Sequence, residues 1–280
     1  MVREINYSGG EPLLKDNFEK ILTLGKRLGF KQLVSTNTTL IDEKWARTLV
    51  RTCDVVFISL EGPKDIDEAI RGEGHFDKAL KAIKMLEHRK KGIVSIGVTI
   101  AKYNVNSLEE LCKLCIELGI SMGFQLISPY GVAFPRLKAE GHKSRFNYED
   151  IKKVASCIVK YRSCFSASDE YYQALLKTLS GVRVRPCVVA YRRLTIDPRG
   201  YIYPCSLWPK YVGHIREGVL NVWFSSVFEE ERLKMRKCMS CFLGCYEPDS
   251  ITYEMLPQRI IANVRKALVN HQRNRGVYIC

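Results

Sequence analysis

The sequence lacks long uninterrupted apolar runs. Its apolar segments, such as residues 55–60, have the length of a strand and are soon interrupted by charge, whereas a membrane-spanning helix needs roughly 18 apolar residues. The first residues also lack the succession of basic, apolar and small residues that forms an export signal. We therefore predict a soluble, cytoplasmic protein that has no membrane partner.

Histidine is scarce, and nucleic-acid-binding motifs are missing. The histidines are not spaced from one another as metal ligands are, so we expect surface or structural roles for them. The net charge of +14 attracts anionic partners, but no basic run with interleaved aromatics forms a recognisable module. A lysine-rich solvated surface is therefore favoured over a nucleic-acid site. The five histidines are His75, His88, His142, His214 and His271.

Cysteine, by contrast, is abundant, with eleven residues. Thiols in the cytoplasm stay reduced, so clustered cysteines indicate metal binding rather than disulfides. Cys187 and Cys205 flank a predicted hairpin, and Cys238, Cys241 and Cys245 follow on a short segment. Thiolates at such spacings can hold one iron cluster, and a structural zinc ion is the alternative.

A further Cys-x2-Cys pair, Cys112 and Cys115, has a different character. Both residues lie on the apolar stripe of a predicted helix, where cysteine is most often a buried small hydrophobe. We therefore expect this pair to belong to the core and leave it out of the metal site.

Up to about residue 129, apolar β-rich segments alternate with amphipathic helical patterns. Strands joined by crossover helices pair in parallel, so this part forms either a doubly wound sheet or a full or partial barrel. The predicted strands are residues 4–8, 32–36, 55–60, 93–100 and 123–128. The predicted helices are residues 15–28, 42–51, 76–89, 107–118, 148–161 and 169–179.

The character of the sequence changes at about residue 180. Residues 193–203 predict a β-hairpin in which Asp-Pro-Arg-Gly supplies the turn, and the density of cysteines then rises. We therefore predict a first domain at 1–180, a second at 181–248 and a basic C-terminal helix or tail at 249–280.

Small polar residues follow three successive predicted strands, in segments 8–12, 35–38 and 59–62. Ligands of parallel α/β folds bind at the carboxyl ends of the strands. In the first segment, Ser-Gly-Gly-Glu-Pro, the two glycines let the backbone approach a ligand closely and the carboxylate can pair with an ammonium group. The pattern predicts a ligand site at this edge of the sheet.

These segments resemble, in the same order, the motifs of the radical S-adenosylmethionine (SAM) superfamily. Segment 8–12 is similar to the part that contacts the SAM amino group, and 35–38 to the ribose side. Segment 59–63 resembles Ser-x-Asp-Gly-Pro with glutamate in place of aspartate, and 70–80 resembles the segment whose arginine lies near the SAM carboxylate. The resemblance assigns SAM binding to Gly9, Gly10, Glu11, Pro12, Ser35, Asn37, Ser59, Glu61 and Arg71.

The cysteine-rich region resembles the SPASM and twitch domains of the same superfamily. The shared layout is Cys-x12-Gly-x4-Cys from residue 187, a Gly-His-Ile-Arg-Glu-Gly segment at 213–218, a tryptophan-containing helix and a Cys-x2-Cys pair. The full pattern has seven cysteines, whereas only five lie in this region and their final spacing is shortened. The resemblance therefore implies one auxiliary 4Fe-4S cluster rather than two. Its expected ligands are Cys187, Cys205, Cys238, Cys241 and Cys245.

One element of the superfamily is missing from these 280 residues: the Cys-x3-Cys-x2-Cys loop that holds the catalytic 4Fe-4S cluster. The resemblance therefore implies an incomplete (β/α)6 partial TIM barrel without its first βα unit, and an exposed sheet edge. We favour a mis-assigned start or gene fragment over a split enzyme or a degenerate family member, and we expect the chain alone to be inactive.

The intact protein is expected to cleave SAM reductively and to modify a peptide or protein or mature a cofactor, with a ferredoxin- or flavodoxin-like electron donor. Its substrate would be a peptide or a small molecule. One alternative is a catalytically dead scaffold that binds SAM or a peptide. The other is a zinc-binding protein that interacts with RNA.

Overall fold

The computed structural model describes residues 4–126, 146–182, 187–238 and the backbone of 278–279. The strands are β1 Glu4–Tyr7, β2 Lys31–Thr36, β3 Val55–Ser59, β4 Val94–Ile100, β5 Ser121–Leu126, β6 Arg193–Ile196, β7 Tyr201–Tyr203, β8 Gly213–His214 and β9 Tyr278–Ile279. The helices are α1 Phe18–Arg27, α2 Glu43–Thr52, α3 Lys64–Arg71, α4 His75–Arg89, α5 Leu108–Leu118, α6 Tyr148–Lys160, α7 Asp169–Leu179, α8 Val219–Trp223 and α9 Ser226–Met235. No helix in the described part of the chain is long and apolar enough to cross a membrane.

The first five strands form a parallel sheet in the order β5-β4-β3-β2-β1. This order follows the chain without a reversal. A doubly wound sheet reverses direction at its switch point, whereas a barrel advances in one direction and keeps its helices on one face. The predicted α/β fold is confirmed, and the order is that of the barrel alternative.

The local patterns explain why these elements form. On α5, Leu108, Leu111, Cys112 and Cys115 recur at helical spacing, and all four are buried in the core. The helix ends at Gly119, whose φ of 67° is a left-handed conformation that glycine adopts without steric cost. The interpretation of Cys112 and Cys115 as core residues is confirmed.

The predicted strands and helices agree with the structure within three residues at each end, whereas α9, β8 and β9 were not predicted, and neither was α3. It has only eight residues and lies between Pro63 and Gly72, which give the segment the appearance of a loop. The predicted basic C-terminal helix or tail at 249–280 lies outside the described residues, apart from the backbone of 278–279.

The edge of β1 that we expected to be exposed is paired. Within the predicted C-terminal tail, Tyr278–Ile279 form β9, which pairs in parallel with β1 through Ile5 and Ile279 and with β6. The expectation of an exposed edge at β1 was therefore wrong at Ile5, where β9 pairs with it. An edge strand presents unpaired N–H and C=O groups, and β9 satisfies some of them while it joins the first sheet to the hairpin.

The predicted hairpin is present as antiparallel β6 and β7, and β8 adds a third strand. In the turn, the Asp197 carboxylate accepts hydrogen bonds from the backbone N–H groups of Arg199 and Tyr201, both at 2.9 Å. Gly200 has a φ of 94°, and a Cβ there would lie 2.8 Å from Nε2 of His214. The turn therefore requires glycine for two independent reasons.

Two separate hydrophobic cores underlie the two sheets, one between Leu13 and Leu179 and the other between Val189 and Met235. In the second core the guanidinium of Arg232 lies 4.0 Å from the ring centroid of Phe228 and 4.3 Å from that of Trp223. It also donates to the carbonyl of Ala190 at 2.9 Å and to that of Trp223 at 2.7 Å.

We expect Arg232→Lys to destabilise the second core by about 2–4 kcal/mol, because lysine cannot reproduce the planar stack or reach both carbonyls. Urea unfolding followed by tryptophan fluorescence measures the change. Arg236→Lys, at the exposed end of α9, is the matched control. Equal unfolding midpoints for the two variants would contradict this role.

Candidate functional site

The turn after β1 exposes its backbone. Gly9 has a φ of 138°, which favours glycine, and a Cβ built on either Gly9 or Gly10 would meet no atom within 4 Å. Glu11 and Pro12 then begin a 3-10 helix, and Oε1 of Glu11 accepts a hydrogen bond from the N–H of Leu13 at 3.1 Å. A ligand can therefore approach the main chain of this turn directly.

Glu11 also connects the ends of β1 and β2. The Thr36 hydroxyl donates to its Oε1 at 3.0 Å, and the backbone N–H of Asn37 donates to its Oε2 at 2.7 Å. A carboxylate has about four lone-pair positions, and the hydrogen bonds described occupy two on Oε1 and one on Oε2. Glu11 therefore fixes two strand ends and still has acceptor capacity for an ammonium group.

The turn after β2 is held in an unusual conformation. Thr38 has a φ of 67°, which is costly for a β-branched residue, and its N–H donates to the Thr36 hydroxyl at 3.0 Å. Oδ1 of Asn37 accepts from the N–H of Thr39 at 3.1 Å and from its hydroxyl at 2.7 Å. The side chains of the segment thus stabilise its own backbone.

The third strand end carries a buried ion pair. Glu61, 1% exposed, accepts from the guanidinium of Arg71 through Oε1 and from the N–H of Thr99 at 3.0 Å through Oε2. Burial raises the pKa of Glu61, and the charge of Arg71 acts in the opposite direction. We predicted Arg71 beside a SAM carboxylate, and the structure places its guanidinium against a protein carboxylate.

Asp67 and His75 extend this arrangement towards β2. Asp67 is buried and its Oδ1 accepts from the N–H of Glu61 at 3.0 Å, while its Oδ2 lies 2.5 Å from Nδ1 of His75. Nε2 of His75 is 3.0 Å from the carbonyl oxygen of Asn37. Neither Asp67 nor His75 was predicted as a site residue. Asp67 lies four positions before Arg71 in the sequence and His75 four positions after it, and this spacing was the available signal.

The fourth and fifth strands join the same set of contacts. Asn104 is buried and donates to the carbonyl of Glu61 at 2.9 Å and to that of Thr99 at 3.0 Å. Gln125 on β5 donates to the Thr99 hydroxyl at 3.2 Å. Burial and the Glu61 carboxylate raise the pKa of Tyr103.

Hydrogen bonds therefore run across the carboxyl ends of β1 to β5. We call this the strand-end network, and its members are Glu11, Thr36, Asn37, Glu61, Asp67, Arg71, His75, Thr99, Asn104 and Gln125. Four predicted site residues belong to it: Glu11, Asn37, Glu61 and Arg71. Ser35 and Ser59 are half-buried near the ends of β2 and β3, and their assignment stays a prediction.

Three of the five predicted cluster ligands lie in the described part of the second unit. Cys205 is buried, and its Sγ accepts a hydrogen bond from the N–H of Leu207 at 3.3 Å. Burial raises the pKa of Cys205, and the nearby thiol of Cys238 contributes to the increase, whereas the Leu207 N–H opposes it. Cys187 packs against the same core.

The donor chemistry of these residues fits an iron-sulfur cluster, because backbone N–H groups aimed at sulfur stabilise thiolate ligands. Among the described residues, no three His, Cys, Asp or Glu side chains are grouped as a metal site. Cys241 and Cys245 lie outside the described residues, so the ligand set stays a prediction.

Comparison with protein families matches both halves of the chain. The radical SAM superfamily matches residues 1–115, and SPASM, described as an iron-sulfur cluster-binding domain, matches residues 187–245. Residues 1–115 therefore carry a radical SAM domain, and residues 187–245 carry a SPASM domain. The superfamily and its SPASM domain are the two that the strand-end motifs and the cysteine spacing indicated.

Curated relatives of this chain include maturation enzymes. Mycofactocin maturase MftC of Mycolicibacterium smegmatis is 26% identical over 85% of this chain and 62% of the relative. The cysteine-type anaerobic sulfatase-maturating enzyme of Clostridium perfringens is 24% identical over 84% of this chain and 70% of the relative. The chain thus spans about three fifths of the length of the first relative.

Solved structures share the fold. Native anSMEcpe with bound AdoMet has a TM-score of 0.62 and 20% identity, over 84% of this chain and 70% of that chain. Streptococcus suis SuiB bound to the precursor peptide SuiA has a TM-score of 0.63 and 19% identity, over 85% of this chain and 58% of that one.

Proposed function

We propose that this chain binds SAM at the strand-end network and holds an auxiliary 4Fe-4S cluster in its SPASM domain, as part of an enzyme that modifies a peptide or matures a cofactor. The observation that carries the proposal is the open glycine turn at Gly9 and Gly10 beside a carboxylate, Glu11, that keeps acceptor capacity.

In this proposal, members of the network and the residues beside them contact different parts of SAM. Glu11 accepts a hydrogen bond from the SAM ammonium group, and the backbone of Gly9 and Gly10 lies against the methionine portion. Ser35 and Asn37 face the ribose from the next strand end. Arg71 holds the Glu61 carboxylate in place and has no direct contact with SAM in this proposal, because its guanidinium is bonded to that carboxylate.

In the intact enzyme, a reduced 4Fe-4S cluster held by a Cys-x3-Cys-x2-Cys loop would supply the electron for reductive cleavage of SAM, and these 280 residues would supply the surface that binds and orients SAM. In the SPASM domain, we propose that four of Cys187, Cys205, Cys238, Cys241 and Cys245 hold the auxiliary cluster. The names of the relatives, which are maturases, and the precursor peptide bound to SuiB support a peptide as the substrate class. A ferredoxin- or flavodoxin-like protein would supply the electrons.

The sharpest test of the SAM site is Gly10→Leu. A Cβ at this position would meet no protein atom within 4 Å, so we expect little change in melting temperature. It would occupy the space proposed for the ligand, and we expect SAM binding by residues 1–280 to weaken at least about tenfold, or about 1.4 kcal/mol. Equilibrium dialysis with labelled SAM measures the dissociation constant.

Lys15→Leu is the control for that variant, because it adds a similar apolar side chain at an exposed position beyond the turn. We expect it to bind SAM as the unchanged chain does. Unaltered binding by Gly10→Leu would remove the glycine turn from the SAM site. Absence of saturable SAM binding by the unchanged chain would overturn the proposed function itself.

We also propose that residues 1–280 by themselves bind SAM without cleaving it, because the Cys-x3-Cys-x2-Cys motif does not occur among their eleven cysteines. Anaerobic reconstitution with iron, sulfide and a strong reductant, followed by chromatographic assay for 5'-deoxyadenosine, tests this. Formation of 5'-deoxyadenosine above a protein-free control would refute it. Binding without turnover is also what the scaffold alternative requires.

A further inference from the structure

His75 bonds through both ring nitrogens while it is 5% exposed. Nε2 lies 3.0 Å from the carbonyl oxygen of Asn37, and a carbonyl oxygen can only accept a hydrogen bond, so Nε2 carries a hydrogen. Nδ1 lies 2.5 Å from Oδ2 of Asp67. The ring therefore joins the start of α4 to the turn after β2 in a defined orientation.

We propose that His75 is a positioning residue of the SAM site, a role that rests on the proposed function. It holds the main chain of Asn37, on the ribose side, at a set distance from the Glu61 and Arg71 pair. Asp67 completes the connection, because its Oδ2 contacts His75 and its Oδ1 accepts from the N–H of Glu61 at 3.0 Å.

The conformation of the turn after β2 explains why it needs this support. Thr38 adopts a left-handed φ of 67°, which costs energy for a residue other than glycine. The residue before it, Asn37, is held on its N–H by Glu11 at 2.7 Å and on its carbonyl by His75 at 3.0 Å. These two contacts from other segments fix the orientation of both peptide groups that flank Asn37.

Two substitutions separate this role from simple packing. His75→Gln places an amide N–H close to the position of Nε2 and can still donate to Asn37. His75→Asn places its amide close to the position of Nδ1, so it can reach Asp67 and leaves the Asn37 carbonyl without this donor. Both variants remove the ring, so both lose similar packing against the core.

We expect His75→Gln to bind SAM within about threefold of the unchanged chain and His75→Asn to bind at least about tenfold more weakly. Equilibrium dialysis of residues 1–280 with SAM measures binding, and thermal unfolding measures the stability of each variant. Equal binding by the two variants, or losses of binding that only follow losses of stability, would overturn the positioning role.

Nitrogen-15 NMR of the unchanged chain gives a readout that needs no variant to fold. We expect a protonated Nε2 with slowly exchanging hydrogen before SAM is added, and a shift of its resonance on SAM addition. A bare Nε2 would overturn the inference whether or not SAM binds. If the unchanged chain binds no SAM, both the proposed function and the positioning role are lost, even with a protonated Nε2.

Discussion

Cys205→Ala should abolish cluster binding, with iron falling from about four atoms per chain to less than about one after anaerobic reconstitution. Cys205 is buried in the second core, its sulfur accepts a backbone hydrogen bond from Leu207, and Cys238 is close enough to raise its pKa. Alanine removes the sulfur ligand of Cys205, which is the most buried of the described cysteines in the SPASM domain. Iron and acid-labile sulfide analysis, with the visible absorbance of the cluster, measures the loss.

Cys53→Ala is the matched control for this substitution. Cys53 is 1% exposed in the first core, so its replacement removes a similar buried volume without touching the SPASM domain. We expect the control to retain about four irons per chain. Full iron in Cys205→Ala would exclude Cys205 from the four cluster ligands, and about one zinc with no sulfide in the unchanged chain would support the zinc alternative instead.

Glu61→Gln should destabilise the first domain by about 3–5 kcal/mol, because removing one partner of a buried ion pair leaves an uncompensated charge. The side chain of Glu61 is 1% exposed and that of Arg71 is 11% exposed, and Oδ1 of Asp67 lies 3.8 Å from Nε of Arg71, beyond hydrogen-bonding distance. We also expect weaker SAM binding. Urea unfolding monitored by circular dichroism measures the free energy, with Glu73→Gln at the exposed turn before α4 as the control.

A double substitution separates the energetic role of this pair from its role in the site. Replacing both partners of a buried ion pair with apolar residues of similar volume is often neutral or stabilising, so Glu61→Met with Arg71→Met should recover much of the lost stability. It should not recover SAM binding, because the backbone N–H of Thr99 then has no carboxylate to hold it. Recovery of both properties would show that the pair serves only stability.

Much of the fold could be predicted because it depends on local patterns. The apolar spacing of α5 and the Asp-Pro-Arg-Gly turn between β6 and β7 are determined by residues within a few positions of one another. The glycine pair after β1 was found for the same reason, since two adjacent glycines at a strand end are visible in the sequence. These features fix the bounds of individual helices and turns and the position of the glycine pair at the end of β1.

Other parts of the site depend on contacts between residues far apart in the chain. His75 binds Asn37 across 38 positions, and Asn104 binds Glu61 across 43. Single residues of these types are common on surfaces, and nothing in their local spacing marks them as buried. Helix α3 was missed together with Asp67, because its eight residues lie between a proline and a glycine.

The sequence by itself determined the radical SAM and SPASM domains, the alternation of β1 to β5 with most of their helices, and the segments that meet at the carboxyl edge of the sheet, because short-range periodicity and motif order encode them. Only the tertiary structure decided that Arg71 is bonded to Glu61, that His75 contacts the carbonyl of Asn37 in the turn after β2, and that β9 pairs with the edge of β1. The physical reason is burial, since partners for enclosed charges and strand edges come from whichever distant segment the fold brings close.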